Sequence, residues 1–146
     1  MKATAWIGLL LLVPLAGCRS DSDQACSILC ISDSSVRPGD VVTVTYQPPP
    51  EHIWGVDGDL YRIEDGEQKR VAWTHAYLDD DQLETVWPDP NMVFETIGFN
   101  GDGSWEWRIP GRLEPGTYEL RKDAISDEDG TIEERTLVSS VRFEVR

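Results

Sequence analysis

From Val36 onward the chain alternates apolar and polar residues in short runs broken by turn residues, and no stretch keeps the 3.6-residue period of an amphipathic helix. The pattern predicts strands. Arg37-Pro38-Gly39-Asp40 is a turn that launches a β-branched run, 41–46, in which Val42, Val44 and Tyr46 share one face. Three consecutive prolines, Pro48 to Pro50, end that strand, because proline has no N–H for a ladder. Runs 60–64 and 69–73 flank Asp65-Gly66, a hairpin signal in which glycine supplies positive φ. Runs 92–97 and 105–109 flank a turn at 100–103, and runs 117–121 and 138–145 flank another at 127–130. Between them, 78–91 reads as a long acidic loop, and helices have no evident place.

These runs amount to about seven strands in roughly 110 residues, the spacing of a two-sheet sandwich. Trp105, Trp107 and Ile109 alternate with Glu106 and Arg108, so one face is expected to be buried and the other wet. Tyr118 and Leu120 repeat the pattern, as do Val141, Phe143 and Val145. The expected fold class is all-β, an antiparallel sandwich whose two sheets cover each other's apolar faces. The stretches 36–45 and 109–121 resemble the early and penultimate strands of bacterial immunoglobulin-like domains. That resemblance implies a tyrosine corner, with Leu113, Pro115, Gly116 and Tyr118 at the matching positions and the Tyr118 hydroxyl bonded back to the strand-to-strand corner. The inter-sheet cysteine pair of antibody-type domains is missing, and the resemblance speaks to fold rather than ligand.

The amino-terminal end follows different rules. Lys2 precedes an apolar run of 12 residues, 5–16, that ends in small residues before Cys18, the pattern of an export signal. A membrane-spanning helix needs about 20 apolar residues, and Arg19, Asp21 and Asp23 stop this run short of that. Leu15-Ala16-Gly17-Cys18 resembles the lipobox of bacterial lipoproteins. The resemblance implies cleavage before Cys18, acyl chains on its thiol and attachment to a bacterial membrane without a transmembrane helix, either at the cell membrane's outer face or at an outer membrane. Arg19 stands where an Asp would mark inner-membrane retention in Gram-negative lipoproteins. The expected organisation is a signal peptide over 1–17, a lipidated tether over 18–35 and the sandwich over 36–146.

Charge narrows the partners. The 146 residues hold 27 Asp and Glu against 13 Lys and Arg, a formal net charge of −14. Nucleic acid is excluded as a partner class, because its phosphates are bound by basic residues that replace counterions. Polybasic attachment to anionic lipid fails for the same reason. Removing 1–17 deletes one Lys and no acid, so the mature chain carries 27 acids against 12 bases. Export sends Cys26 and Cys30 to an oxidising compartment, where two leftover cysteines are expected to pair as a local staple. The alternatives are a copper thiolate pair helped by His52, His75 or Met92, and redox exchange.

A catalytic set is hard to assemble from what remains. A nucleophilic triad needs a Ser, Cys or Thr beside a histidine oriented by a carboxylate, and only His52 and His75 are available. The glycines of 98–103 lie between strands, without the helix that would bind phosphate. No catalytic residue and no cofactor is therefore assigned. Calcium has weak candidates in Asp127 and Asp129, and in Asp79, Asp80 and Asp81 with Asp57, Asp59 or Asp89. In an EF-hand alignment of Gly130, Ile125 and Thr136 fall where carboxylates are needed, so that loop reads better as a turn. Trp54 and Trp87 stand beside loop prolines, where an aromatic either seals a sandwich end or stacks on a sugar or peptide. They are the candidate binding surface. The leading reading is a non-catalytic, lipid-anchored envelope protein whose sandwich binds an envelope protein or glycan; the alternative is a metal-handling lipoprotein.

Overall fold

The computed structural model describes residues 28–77, 81–91, 98–99, 101–126 and 130–146. The strands are β1 (Leu29–Ile31), β2 (Ser35–Val36), β3 (Val41–Tyr46), β4 (His52–Gly55), β5 (Asp57–Glu64), β6 (Glu67–Ala76), β7 (Gln82–Val86), β8 (Gly98–Phe99), β9 (Gly103–Arg108), β10 (Gly116–Ser126) and β11 (Thr136–Val145). They follow the order β1-β3-β9-β7-β6-β5-β10-β11-β2, with β4 pairing β10 and β8. The first three make one layer and the rest make the other. The chain passes between the layers in the segments joining β1 to β2, β2 to β3, β3 to β4, β8 to β9 and β9 to β10, and β7 is bonded to both layers, antiparallel to β6 and parallel to β9. This is an immunoglobulin-like β-sandwich, curled so that the two layers are bonded along one side.

The alternation read from sequence sets the core. Val42, Val44, Tyr46, Trp105, Trp107 and Ile109 from one layer meet Leu60, Ala72, Tyr118, Leu120, Phe143 and Val145 from the other. Phe143 packs edge-on against Trp107 and stacks on Tyr118, with centroids 5.6 Å and 5.8 Å away. The Tyr118 hydroxyl donates to the Glu114 carbonyl at 2.9 Å, so the tyrosine corner is formed. At the β5–β6 hairpin, Asp65 and Gly66 both take positive φ, 51° and 81°, as the turn signal requires. Trp105 folds its ring back over Gly103; a Cβ there would sit 2.1 Å from the indole, so only glycine admits this packing.

Three expectations change. The domain begins before Val36, since Leu29 is buried and β1 pairs with β3, which shortens the segment expected to be tether. The expected loop 78–91 contains β7, whose Leu83 enters the core. A single helical turn, α1 (Ile132–Arg135), stands where none was expected, capped reciprocally by Thr131 and Glu134. The expected strand 92–97 lies outside the described residues.

One core position is a lysine. Across from Lys122 and Asp123 of β10 the partner strand is interrupted: Trp54 of β4 pairs with Ala124 and Asp59 of β5 with Arg121, leaving four residues, Gly55 to Gly58, opposite two. Their carbonyls cannot all find ladder partners. The Lys122 ammonium reaches into this break, donating to Gly55 O and Asp57 O, each at 3.1 Å, and lying 3.5 Å from Val56 O, which also accepts from Ala76 N at 3.0 Å. It lies 5.5 Å from the Tyr46 ring centroid, 5.1 Å from that of Trp54 and 5.7 Å from that of Trp105. Burial pushes its pKa down to about 8, against the pull of Asp57, Asp123 and Asp59. Burial also raises the Tyr46 pKa to about 12, with Asp123 adding to it.

Two stability measurements follow. Replacing Tyr118 with Phe removes the corner bond and lowers the unfolding free energy in urea by about 1 kcal/mol. Because the folded pKa of Lys122 lies below its ordinary 10.5, the unfolded chain binds more protons from pH 8 upward, so this group adds about 2 kcal/mol of stability between pH 8 and 10. Tyr46 acts in the opposite direction, withdrawing stability above pH 10. Urea titrations across that range show the rise in the native chain and lose it in Lys122→Met.

Candidate binding groove

The sequence candidates separate in space. Trp54 is 4% exposed, stacks edge-on between Tyr46 and Trp105 and donates its indole N–H to Gly101 O at 2.9 Å. It seals one end of the sandwich and is no part of a binding surface, which corrects that half of the expectation. Trp87 is half-buried at the other end, immediately after β7, and the Arg112 guanidinium covers its ring at 4.5 Å.

Around Trp87 the structure opens a groove of about 600 Å³. One wall is β7 with Tyr77 before it and Trp87 after it; the other is the end of β9 with Arg108, Ile109, Pro110 and Gly111, joined by the turn at Pro38 and Gly39. The geometry arises because β7 and β9 run parallel and are bonded only at Gln82↔Glu106 and Leu83↔Trp107, after which their register ends. The Trp107 indole donates to Thr85 Oγ1 at 2.9 Å and holds the root of the wedge. Trp87, which lines the groove, is held under the Arg112 guanidinium. On the opposite wall, Gly39 N donates to Ile109 O at 2.8 Å and Arg108 Nη1 to Gly39 O at 3.0 Å, fixing the turn against β9. A second depression, about 560 Å³, continues past Gln82 along Asp81, Ser104 and Glu106.

The histidines do other work. His75 Nδ1 is 2.7 Å from Asp57 Oδ1 and its ring meets the edge of Tyr77, on the outer face of β6. His52 is half-buried at the start of β4, with Nδ1 3.6 Å from Glu51 Oε1. Cys30 is half-buried on β1; Cys18, Cys26 and Met92 lie outside the described residues, so neither the pairing nor the copper set is placed. Asp81 precedes β7 with φ of 52°, while Asp79, Asp80, Asp127 and Asp129 lie outside the described residues. Of the suggested calcium partners, Asp57 contacts His75, Asp59 accepts from Arg70 and Asp89 accepts from the Asn91 N–H. Among the described residues no group of three or more His, Cys, Asp or Glu is placed to hold a metal ion.

No family model matches the chain. None of the curated proteins matches it either. Among solved structures, murine CRIg is similar, with a TM-score of 0.47 and 11% identity over 81% of this chain and 94% of that one. The fold assignment therefore stands on the strand order and the tyrosine corner.

Sequence reasoning missed Tyr77, Arg108 and Arg112. Arg112 carried a usable signal, since it immediately precedes the corner motif and so had to project near the end of the sandwich. Its partner could not be guessed while β7 was read as loop. The outer face of β10 holds a separate ionic cluster in which Glu119 accepts from Arg121, Arg142 and Gln68. Burial there pushes the Glu119 carboxyl upward, but the two arginines outweigh it and hold it below its ordinary value.

A cation over an exposed ring is worth about 0.5–1 kcal/mol, so Arg112→Ala is expected to make the amide of Val86, which pairs with Trp73 of β6, exchange about two- to fivefold faster. Hydrogen exchange at single-residue resolution checks this, with the urea midpoint unchanged.

Proposed function

We propose that the chain is a lipid-anchored binding module of a bacterial cell envelope, held by acyl chains on Cys18 and presenting the β7–β9 groove to a partner. The observation that carries it is that the two ends of the sandwich have different uses. Gln47 N donates to Ile28 O and Leu29 pairs with Tyr46, so the chain enters beside the Tyr46 end of β3. The groove lies at the Val41 end, where Val41 pairs with Arg108. Five strand steps, about 17 Å, separate the two. A domain tethered at the first end points the groove away from the bilayer. The ten residues from 18 to 27 reach at most about 35 Å when extended, enough to clear the headgroups. Two or three acyl chains exceed the single-chain limit for stable anchoring.

Binding is favoured over catalysis by the groove's contents. Its aromatic and arginine side chains are those enriched in recognition sites, and no nucleophile there stands beside a histidine among the described residues. A bridge between Cys26 and Cys30 belongs to the same proposal, as a local staple where the chain enters β1.

Two outcomes are expected in a bacterial host. The native chain incorporates labelled palmitate and sediments with membranes, whereas Cys18→Ala does neither and carries an uncleaved signal by mass. Equal palmitate incorporation in the two proteins overturns the anchor.

A further inference from the structure

The groove exposes a strand edge as well as side chains. Tyr77 N donates to Gln82 O at 3.0 Å, so the main chain of Gln82 faces β6, and with it, by alternation, that of Glu84 and Val86. Leu83, Thr85 and Trp87 then turn their N–H and C=O groups toward β9, in agreement with the bond from Glu106 N to Asp81 O at 2.8 Å. The ladder to β9 stops at Leu83↔Trp107. Thr85 and Trp87 therefore face the groove with no registered strand partner among the described residues, and Pro88 ends the edge. Such an edge is a template for another strand.

We propose that this edge takes an extended peptide segment of a partner protein, which adds to β7 at Thr85 and Trp87 and seats an apolar side chain against Trp87 and Pro110. The inference rests on the groove being the binding site. Donors and acceptors recurring every second residue match another backbone. They match a sugar poorly, because the polar side chains a sugar would need are engaged: Glu84 accepts from the Tyr77 hydroxyl at 2.7 Å, and Gln82 donates to Glu106. Charge sets the direction. The seam is acidic at Asp81 and Glu106 and basic at Arg108 and Arg112, so the peptide carries a cationic residue at one end and an anionic one at the other. From Glu84 to Trp87 the open edge covers about 10 Å, room for three or four peptide residues.

The probe is a displayed library of random twelve-residue peptides, selected against the full chain in detergent micelles. Enriched peptides are expected to alternate apolar residues between opposite charges. Synthesised singly, they are expected to slow exchange of the Thr85 amide at least tenfold. Methylation of alternate peptide amides and Trp87→Ala should each weaken them at least tenfold, and Trp73→Ala, on the outer face, should not. No enrichment, or unchanged affinity after amide methylation, overturns the inference. If oligosaccharides of an envelope glycan array bind instead, and Trp87→Ala abolishes that, the groove survives as the binding site and strand addition falls. If Trp87→Ala alters the binding of neither peptide nor glycan, the groove reading falls as well.

Discussion

The sandwich is organised around one buried ammonium. Strands β4 and β5 are a single strand broken where four residues oppose two, and such a break in the core leaves carbonyl groups without rungs. An unpaired buried polar group costs about 1–3 kcal/mol, so the break needs a donor that reaches it from inside. Lys122 is placed to do this because its parity on β10, shared with Tyr118, Leu120 and Ala124, turns it into the core. Its stem passes close to Gly58, where a Cβ would lie 3.3 Å from Lys122 Cγ and 2.8 Å from Thr74 Oγ1. The charge costs desolvation, and what offsets it comes from both layers: carbonyls from the broken strand, ring faces from Tyr46 and Trp105 across the core. One side chain thus ties the layers together where the backbone ladder cannot.

That arrangement accounts for the difference between the two ends. Trp54 is drawn inward by Lys122 and anchored by Gly101, so the end where β1 begins is closed by aromatic rings. At the other end the constraint is the twist between layers. Packed sheets keep their strand directions about 30° apart, so a strand bonded to both can follow the second only briefly. β7 manages two residue pairs with β9 before diverging. The groove is the space that divergence leaves. It is held at its root by Trp107 and Thr85, and its Trp87 by Arg112, contacts that require the core to be fixed first.

Much of the fold was legible because it is written in period-two alternation. The hairpin at Asp65-Gly66, the inward Trp105 and Trp107 and the corner at Tyr118 follow from residue types with strong local meaning. Lys122 was legible in principle, as a lysine on an otherwise apolar parity, yet parity does not say which carbonyls need it. The strand break is a property of pairing between segments some 65 positions apart. β7 was hidden by its acidic neighbours Asp79 to Asp81, which read as loop, and its parallel bond to β9 is a long-range pairing that no local pattern encodes. α1 was missed although Thr131 and Glu134 stand at capping-box spacing, because four helical residues are too few for periodicity to show. Of the side chains lining the groove, the sequence offered Trp87 alone as a candidate, since the groove is made by divergence rather than by a motif.

The acidity of the chain acquires a position once the bases are located. Arg62, Arg70, Arg121 and Arg142 are each paired with a carboxylate, Glu114, Asp59 or Glu119, and so contribute little to the outer field. The excess acid is left to turns and exposed strand positions, while Arg108 and Arg112 stand beside the groove with the Gly39 carbonyl and the Trp87 ring as neighbours rather than acids. At physiological salt, charges farther apart than about 8 Å are largely screened. A partner approaching from a distance meets a negative domain, which repels anionic polymers and lipid headgroups. One already within the groove meets a local field of both signs, set by Asp81 and Glu106 against the two arginines. Selection at long range and orientation at short range then come from different residues, so neither needs to be strong.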